Sequence, residues 1–101
     1  MSVFSVTRTT YEDDVRDAVK DINRKSIEVF KRQNGFQSIQ EYSSRDRNEI
    51  MLIIEWDDES CYRACQMSPE WGTLMPKWNE LMVAQKIQME IGLYQNMGQA
   101  N

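Results

Sequence analysis

Histidine is absent from this chain of 101 residues. Its absence removes the commonest metal ligand of proteins, the usual general base near neutral pH, and every Ser-His or Cys-His nucleophile pair. The two cysteines, Cys61 and Cys65, are too few for a disulfide framework, and their spacing does not form a CxxC motif. The chemistry open to the chain is therefore restricted, and the sequence predicts no metal site.

Long apolar runs are also missing. The longest, Ile50 to Ile54, has five residues, whereas a helix that spans a bilayer needs about 20. The N-terminus lacks a basic segment followed by an apolar one, which a secretory signal would require. Sixteen acidic residues against twelve basic ones give a net charge of -4, which disfavours the basic surface that nucleic acids require. We therefore expect a cytoplasmic protein that binds neither membranes nor nucleic acids.

The length predicts one domain over residues 1–101, because domains usually hold about 100 to 200 residues. With 41% apolar residues, four Gly and two Pro, the chain can bury a core. A domain of this size nevertheless leaves much of its apolar area near solvent. Association with a second copy is one remedy.

Hydrophobic periodicity predicts four strands and two helical regions. The strands are expected at residues 2–11, 36–43, 49–56 and 86–94. The first helix is expected at about 13–33, and the second helical region consists of two pieces, 59–67 and 70–82. The order β-α-β-β-α-β predicts a ferredoxin-like α+β fold, in which both helical regions cover one face of a four-stranded antiparallel sheet.

Two local patterns refine this prediction. Ser68-Pro69 separates the two pieces of the second helical region, because Pro fits the first turn of a helix but not its interior. In the second strand, strict alternation places Phe36 on the same face as Ser38 and opposite Ile39.

One face of such a sheet is not covered by helices. Either Met51 and Ile53 or the set that alternates with them must point away from the helices, and an apolar patch there marks an interaction site. A second copy of the chain, related by a two-fold axis, would cover both exposed faces at once. We therefore expect a homodimer formed through the sheet.

The segment from Ile50 to Trp71 is an apolar strand that ends in Glu-Trp, followed by an acidic cap, a helix with small residues, and Ser-Pro-Glu-Trp. Together with Asn34-Gly35-Phe36 before the second strand, it resembles the antibiotic biosynthesis monooxygenase family. The resemblance implies a dimeric α/β barrel with a small pocket in each protomer between sheet and helices. Some members of that family oxidise phenols or quinols with dioxygen and no cofactor, and others degrade haem.

Haem degradation in that family depends on a histidine ligand to iron, which this sequence lacks. A cysteine could replace it in principle, but Cys61 and Cys65 are more simply small buried helix residues. The resemblance therefore favours a cofactor-independent monooxygenase that acts on a small planar aromatic.

Such a reaction needs a pocket that binds an electron-rich ring, removes its proton and stabilises the anion away from water. Glu55 lies in an apolar strand, an environment that suits a carboxylate to act as the base. Trp56 and Asn79 complete the expected catalytic set, with Asn79 donating a hydrogen bond to an oxygen of the substrate. A Glu at a sheet margin can instead pair with a cation.

Further residues are candidates for substrate binding, because they offer aromatic surface or positive charge to an anionic intermediate. They are Arg8, Tyr62, Arg63, Trp71 and Trp78. The three tryptophans can equally be core or dimer-contact residues.

Two other functions fit the same fold. One is a non-catalytic dimeric module that binds small molecules or is associated with stress, and the other is an amino-acid-binding regulatory domain. A closed, filled space between sheet and helices would favour the module, and a pocket with an aromatic, a polar donor and a buried base would favour the enzyme.

Overall fold

A computed structural model describes residues 1–98 of the chain. Its strands are β1 (Val3–Tyr11), β2 (Phe36–Ser43), β3 (Glu49–Trp56) and β4 (Ile87–Tyr94). Its helices are α1 (Arg16–Lys31), which follows a short 3-10 turn, α2 (Glu59–Gln66) and α3 (Pro69–Val83). The last three residues of the expected domain, 99–101, lie outside the described part.

The four strands form one antiparallel sheet in the order β2-β3-β1-β4. Thr7 in the middle of β1 lies opposite Leu52 of β3 and Ile91 of β4, which fixes the register of the two strand pairs that involve β1. This order, with the second helical region in two pieces, is that of the ferredoxin-like α+β fold. The predicted fold class and element order are confirmed.

The core lies between the sheet and the helices. Alternate residues of β3 point into it, because successive side chains of a strand project to opposite faces. The buried residues of β3 are Ile50, Leu52, Ile54 and Trp56. The buried apolar residues of α1 and α3 are Val19, Ile22, Val29, Phe30, Trp71, Leu74 and Trp78.

The opposite side of the sheet carries no helix, and we call it the helix-free face. Its central side chains are Phe4 and Val6 of β1 and Met51, Ile53 and Glu55 of β3. All of them are only partly exposed. Of the two alternating sets of β3, it is therefore the Met51 and Ile53 set that points away from the helices.

A β-bulge between Phe36 and Ser38 changes the alternation expected for β2. Phe36 pairs with Trp56 and Ile39 pairs with Ile54, so both lie on the side that the helices cover. The expectation that Phe36 shares a face with Ser38 is therefore wrong. The extra residue of a bulge shifts the side-chain phase by one, and period-2 counting does not detect it.

Specific residues fix the position of α2 and the starts of α2 and α3. Gly35, between α1 and β2 in the chain, has φ +82, which favours glycine. A Cβ at this position would also clash with the Cys61 side chain of α2, so α2 packs directly against the backbone of Gly35. Asp58 caps α2 by accepting a hydrogen bond from the Cys61 backbone N–H (3.1 Å), and Ser68 caps α3 by accepting one from the Trp71 N–H (3.2 Å).

No helix among residues 1–98 combines the length and the apolar character that crossing a membrane requires.

Candidate functional site

A small hollow lies between the sheet and the three helices, with a volume of about 30 Å³. That volume holds a single water molecule rather than an organic ligand. Its aromatic lining consists of Phe30, Trp56, Tyr62, Trp71 and Trp78. Its polar lining consists of Ser5, Thr7, Thr9, Asn23, Ser26 and Gln66.

The aromatic rings of the hollow support one another. The ring centroids of Phe30 and Trp71 are 5.0 Å apart with the planes tilted by 33°. Trp56 meets Phe30 edge-on at 6.4 Å and Tyr62 edge-on at 6.3 Å. Because each of these geometries is favourable for aromatic quadrupoles, the rings form a packed aromatic wall on one side of the hollow.

Two serines hold the indole groups in place. Trp56 Nε1 donates to Ser5 Oγ at 3.0 Å, and Trp78 Nε1 donates to Ser26 Oγ at 3.0 Å. Ser26 in turn donates to the Ile22 carbonyl at 2.8 Å, which fixes its hydroxyl. Ser5 Oγ accepts from Trp56, so the O–H of Ser5 remains able to donate to a guest.

Asn23 supplies the amide of the hollow. Its side chain is buried, with 6% of the residue exposed, and its Nδ2 donates to Glu41 Oε2 at 2.6 Å. A primary amide has two N–H groups, so the second can donate to a guest. Asn23 and Ser26 were not predicted as site residues. Both lie one helical turn after a buried apolar residue of α1, Val19 and Ile22 respectively, and therefore belong to its buried face. Polar residues at positions of α1 that the helical period places on the buried face could have indicated them.

Four of the predicted site residues line the hollow. They are Trp56, Tyr62, Trp71 and Trp78. The predicted base does not, because Glu55 precedes the inward-pointing Trp56 on a regular strand and therefore lies on the helix-free face opposite Phe4. Glu55 therefore does not line the hollow.

The other three predicted residues also lie away from the hollow. Arg8 is on the helix-free face, where it pairs with Glu90 at 3.0 Å. Arg63 is exposed and pairs with Glu59, one turn earlier on α2, at 2.5 Å. Asn79 is exposed because it follows the buried Trp78 by one helical position, a rotation of about 100° about the axis of α3.

Burial raises the pKa of two ionisable side chains in this region. Desolvation raises the pKa of the Tyr62 phenol, so Tyr62 is a hydrogen-bonding group and not a base at neutral pH. Desolvation, with a smaller effect from the Glu70 carboxylate, raises the pKa of the Cys65 thiol to about 11. Among the lining residues within 1–98 there is no carboxylate, and no cluster of three or more His, Cys, Asp or Glu in this range could hold a metal.

Comparison with known proteins gives matches in structure alone. No protein-family model matches the sequence, and no curated protein does. SnoaB from Streptomyces nogalater, a cofactor-independent oxygenase, superimposes with a TM-score of 0.79 over 97% of this chain and 95% of its own, at 22% identity.

Two further solved structures extend the comparison. Rv0793 from Mycobacterium tuberculosis gives a TM-score of 0.81 at 16% identity and covers both chains completely (100% and 100%). A protein of Deinococcus radiodurans, described as a candidate antibiotic biosynthesis monooxygenase, gives 0.80 at 10% identity over 98% of this chain and 96% of that one. The chain has the fold of the antibiotic biosynthesis monooxygenases, and the resemblance read from its sequence is confirmed for the fold.

Proposed function

We propose that this protein is a cofactor-independent monooxygenase that oxidises a small planar phenol or quinol between sheet and helices, where the hollow of about 30 Å³ widens to admit the ring. One observation carries the proposal. The hollow combines a wall of packed aromatic rings with a buried amide, Asn23, in a fold shared with an oxygenase that needs no cofactor. Aromatic surface with a few converging polar groups is the usual composition of a small-molecule site.

The side chains divide the work between binding and charge stabilisation. The rings of Trp56 and Trp71 hold the flat face and edge of the substrate. The free N–H of Asn23 and the O–H of Ser5 donate to the substrate oxygen, where negative charge grows when the phenol ionises. Dioxygen then inserts one atom at a ring carbon that carries hydrogen, and the other atom leaves as water, so that phenol plus O2 gives quinone plus water.

The proton of the substrate goes to water in this proposal, because the described lining of the hollow holds no carboxylate. Tyr62 cannot replace it, since burial raises the pKa of its phenol. The reaction rate is therefore expected to rise with pH through the pKa of the substrate phenol, without a lower limb from an enzyme carboxylate. Phenols with electron-withdrawing groups should react at lower pH.

The same proposal includes a homodimer in the cytoplasm. The helix-free face carries the apolar side chains of Phe4, Val6, Met51 and Ile53 at the centre of the sheet, and a two-fold copy would bury them. Both cysteines are free thiols, a state that the reducing cytoplasm maintains. Sedimentation equilibrium should give twice the 12.0 kDa of one chain.

A second candidate is a non-catalytic dimeric module that binds a small aromatic molecule. Two observations favour it: the hollow measures only about 30 Å³, and its described lining lacks a base. Such a module would bind a planar phenol and release it unchanged, so turnover separates the two functions.

The deciding experiment is oxygen uptake with 1,5-dihydroxynaphthalene, together with the visible absorbance of the hydroxynaphthoquinone product. We expect turnover by the unchanged protein and a loss of about 100-fold in Asn23→Ala, because one preorganised donor to an oxyanion contributes about that factor. Glu55→Gln is the matched control and should keep full activity, since Glu55 faces away from the hollow. Binding of the naphthol without oxygen uptake would favour the module, and equal activity in Asn23→Ala would refute the assigned role.

A further inference from the structure

A second space lies beside the hollow, between α1 and the hairpin formed by β2 and β3. We call it the entry groove, and its volume is about 600 Å³. Tyr11, Ile27 and Ile50 provide its apolar surface. Pockets that bind organic ligands measure about 300 to 1,000 Å³, so the entry groove has the size that the hollow lacks.

The wall between the two spaces is thin. Of the lining residues, only Asn23 and Ile50 contact both the hollow and the entry groove. The hydrogen bond from Asn23 Nδ2 to Glu41 Oε2, 2.6 Å long, crosses this wall from α1 to β2. Within residues 1–98 it is the one side-chain hydrogen bond between these two elements. That bond holds Asn23, one of the two residues that separate the spaces, in place.

The two ends of α1 are fixed, which confines an opening to its middle. At the start, Arg16 donates to Asn48 Oδ1 at 2.8 Å and so ties α1 to the turn between β2 and β3. Just past the end, Arg32 donates to Glu70 of α3 at 2.6 Å. A rotation of the exposed Glu41 side chain into water costs no burial of charge and leaves the helix where it is.

We propose that the entry groove is the docking site from which the phenol reaches the hollow, and that the Asn23–Glu41 hydrogen bond is the gate between them. The inference rests on the proposed function, since it names the route by which that substrate enters. The occupant is a planar aromatic that carries a phenol or phenolate oxygen. Its ring packs on Tyr11 and Ile27, and its oxygen meets Arg16 and Lys20, the two cations on the first turns of α1.

The passage is tested with 2-naphthol, a planar phenol, by stopped-flow quenching of the fluorescence of the tryptophans that line the hollow. Glu41→Ala removes the gate and should raise the association and dissociation rate constants together, by about tenfold, because the charged hydrogen bond no longer has to break. The dissociation constant should stay the same, since Glu41 does not line the hollow. Glu41→Gln keeps an acceptor for Asn23 and is the matched control, with rates near those of the unchanged protein.

A second variant narrows the groove instead of opening the gate. Ile27→Phe adds volume to the wall of the entry groove and should lower both rate constants by about threefold or more at an unchanged dissociation constant. Leu93→Phe makes a comparable enlargement on β4, two residues beyond Ile91 at the other side of the hollow, and should change neither rate. Thermal unfolding of each variant shows whether it is folded.

The outcomes separate the two proposals. Binding of 2-naphthol with rates that are the same in Glu41→Ala, Ile27→Phe and the unchanged protein would overturn the route and leave the function standing. Slower binding in Leu93→Phe alone would also overturn it, because it would place the entrance at β4. A complete absence of tryptophan quenching at millimolar 2-naphthol would overturn the proposed function, and the route with it.

Discussion

The two sides of the sheet differ in a way that a simple inside-outside rule does not predict. On β1 the small polar residues Ser5 and Thr9 are buried beneath the helices, whereas Phe4 and Val6 point to the helix-free face. A strand that packed against a filled core would have the opposite arrangement. Polar groups are stable in the interior only with partners, and Ser5 has one in Trp56 Nε1.

The polar side chains of β1 accompany the hollow on the covered side, and its apolar side chains lie on the helix-free face. The covered side uses short polar side chains on β1 because larger apolar ones would fill the hollow. The helix-free face has apolar side chains without a covering element, which is typical of a surface that contacts another protein. The β3 strand has apolar residues on both sides, Leu52 beneath the helices and Ile53 on the helix-free face.

The largest effect is expected from removing a ring on the covered side. Trp56 is 1% exposed, so Trp56→Ala should reduce the free energy of unfolding by about 3–5 kcal/mol, through lost burial and the cavity left behind. Glu55→Gln, one residue away on the helix-free face, should change it by no more than about 0.5 kcal/mol. Urea unfolding at one fixed protein concentration measures both. Equal losses in the two variants would contradict the assignment of the two sides.

A smaller effect is expected from charging the helix-free face. Ile53→Asp places a carboxylate at the centre of the proposed dimer contact, and it should weaken dimerisation by at least about 30-fold, the effect of losing a contact worth about 2 kcal/mol. Sedimentation equilibrium should then give the 12.0 kDa monomer. Asn79→Asp adds the same charge to the exposed side of α3 and should leave the dimer intact. A dimer that persists in Ile53→Asp would exclude this face as the interface.

The sequence predicted the fold well because its strongest signals are local. Alternation along β3 and β4 and the Ser68-Pro69 cap arise from neighbouring residues, so the chain alone reveals them. The bulge after Phe36 was not predictable in this way, because it depends on the pairing of β2 with β3.

The site was less predictable because it depends on contacts between distant segments. The tryptophans were found by their residue type, whereas Glu55 was assigned to the hollow although its own strand phase places it on the side opposite Trp56. The role proposed for Asn23 depends on its hydrogen bond to Glu41, which is 18 residues away on another element. Strand and helix periodicity say which face a side chain occupies, but not what it meets there.

The smallest effect concerns pH and again distinguishes buried from exposed groups. Desolvation raises the pKa of Cys65 to about 11 from an ordinary value of 9.0, so the folded state disfavours the thiolate. The unfolded chain releases this proton first, and the stabilisation, complete below pH 9, is therefore lost as the pH rises from about 9 to 11. Urea unfolding across that range should show a decrease of about 1–2 kcal/mol from this thiol. Cys65→Ala should lower the stability at pH 8 and remove that part of the slope, whereas an unchanged slope would mean that Cys65 is not shielded from water by Trp71 and its neighbours in the core.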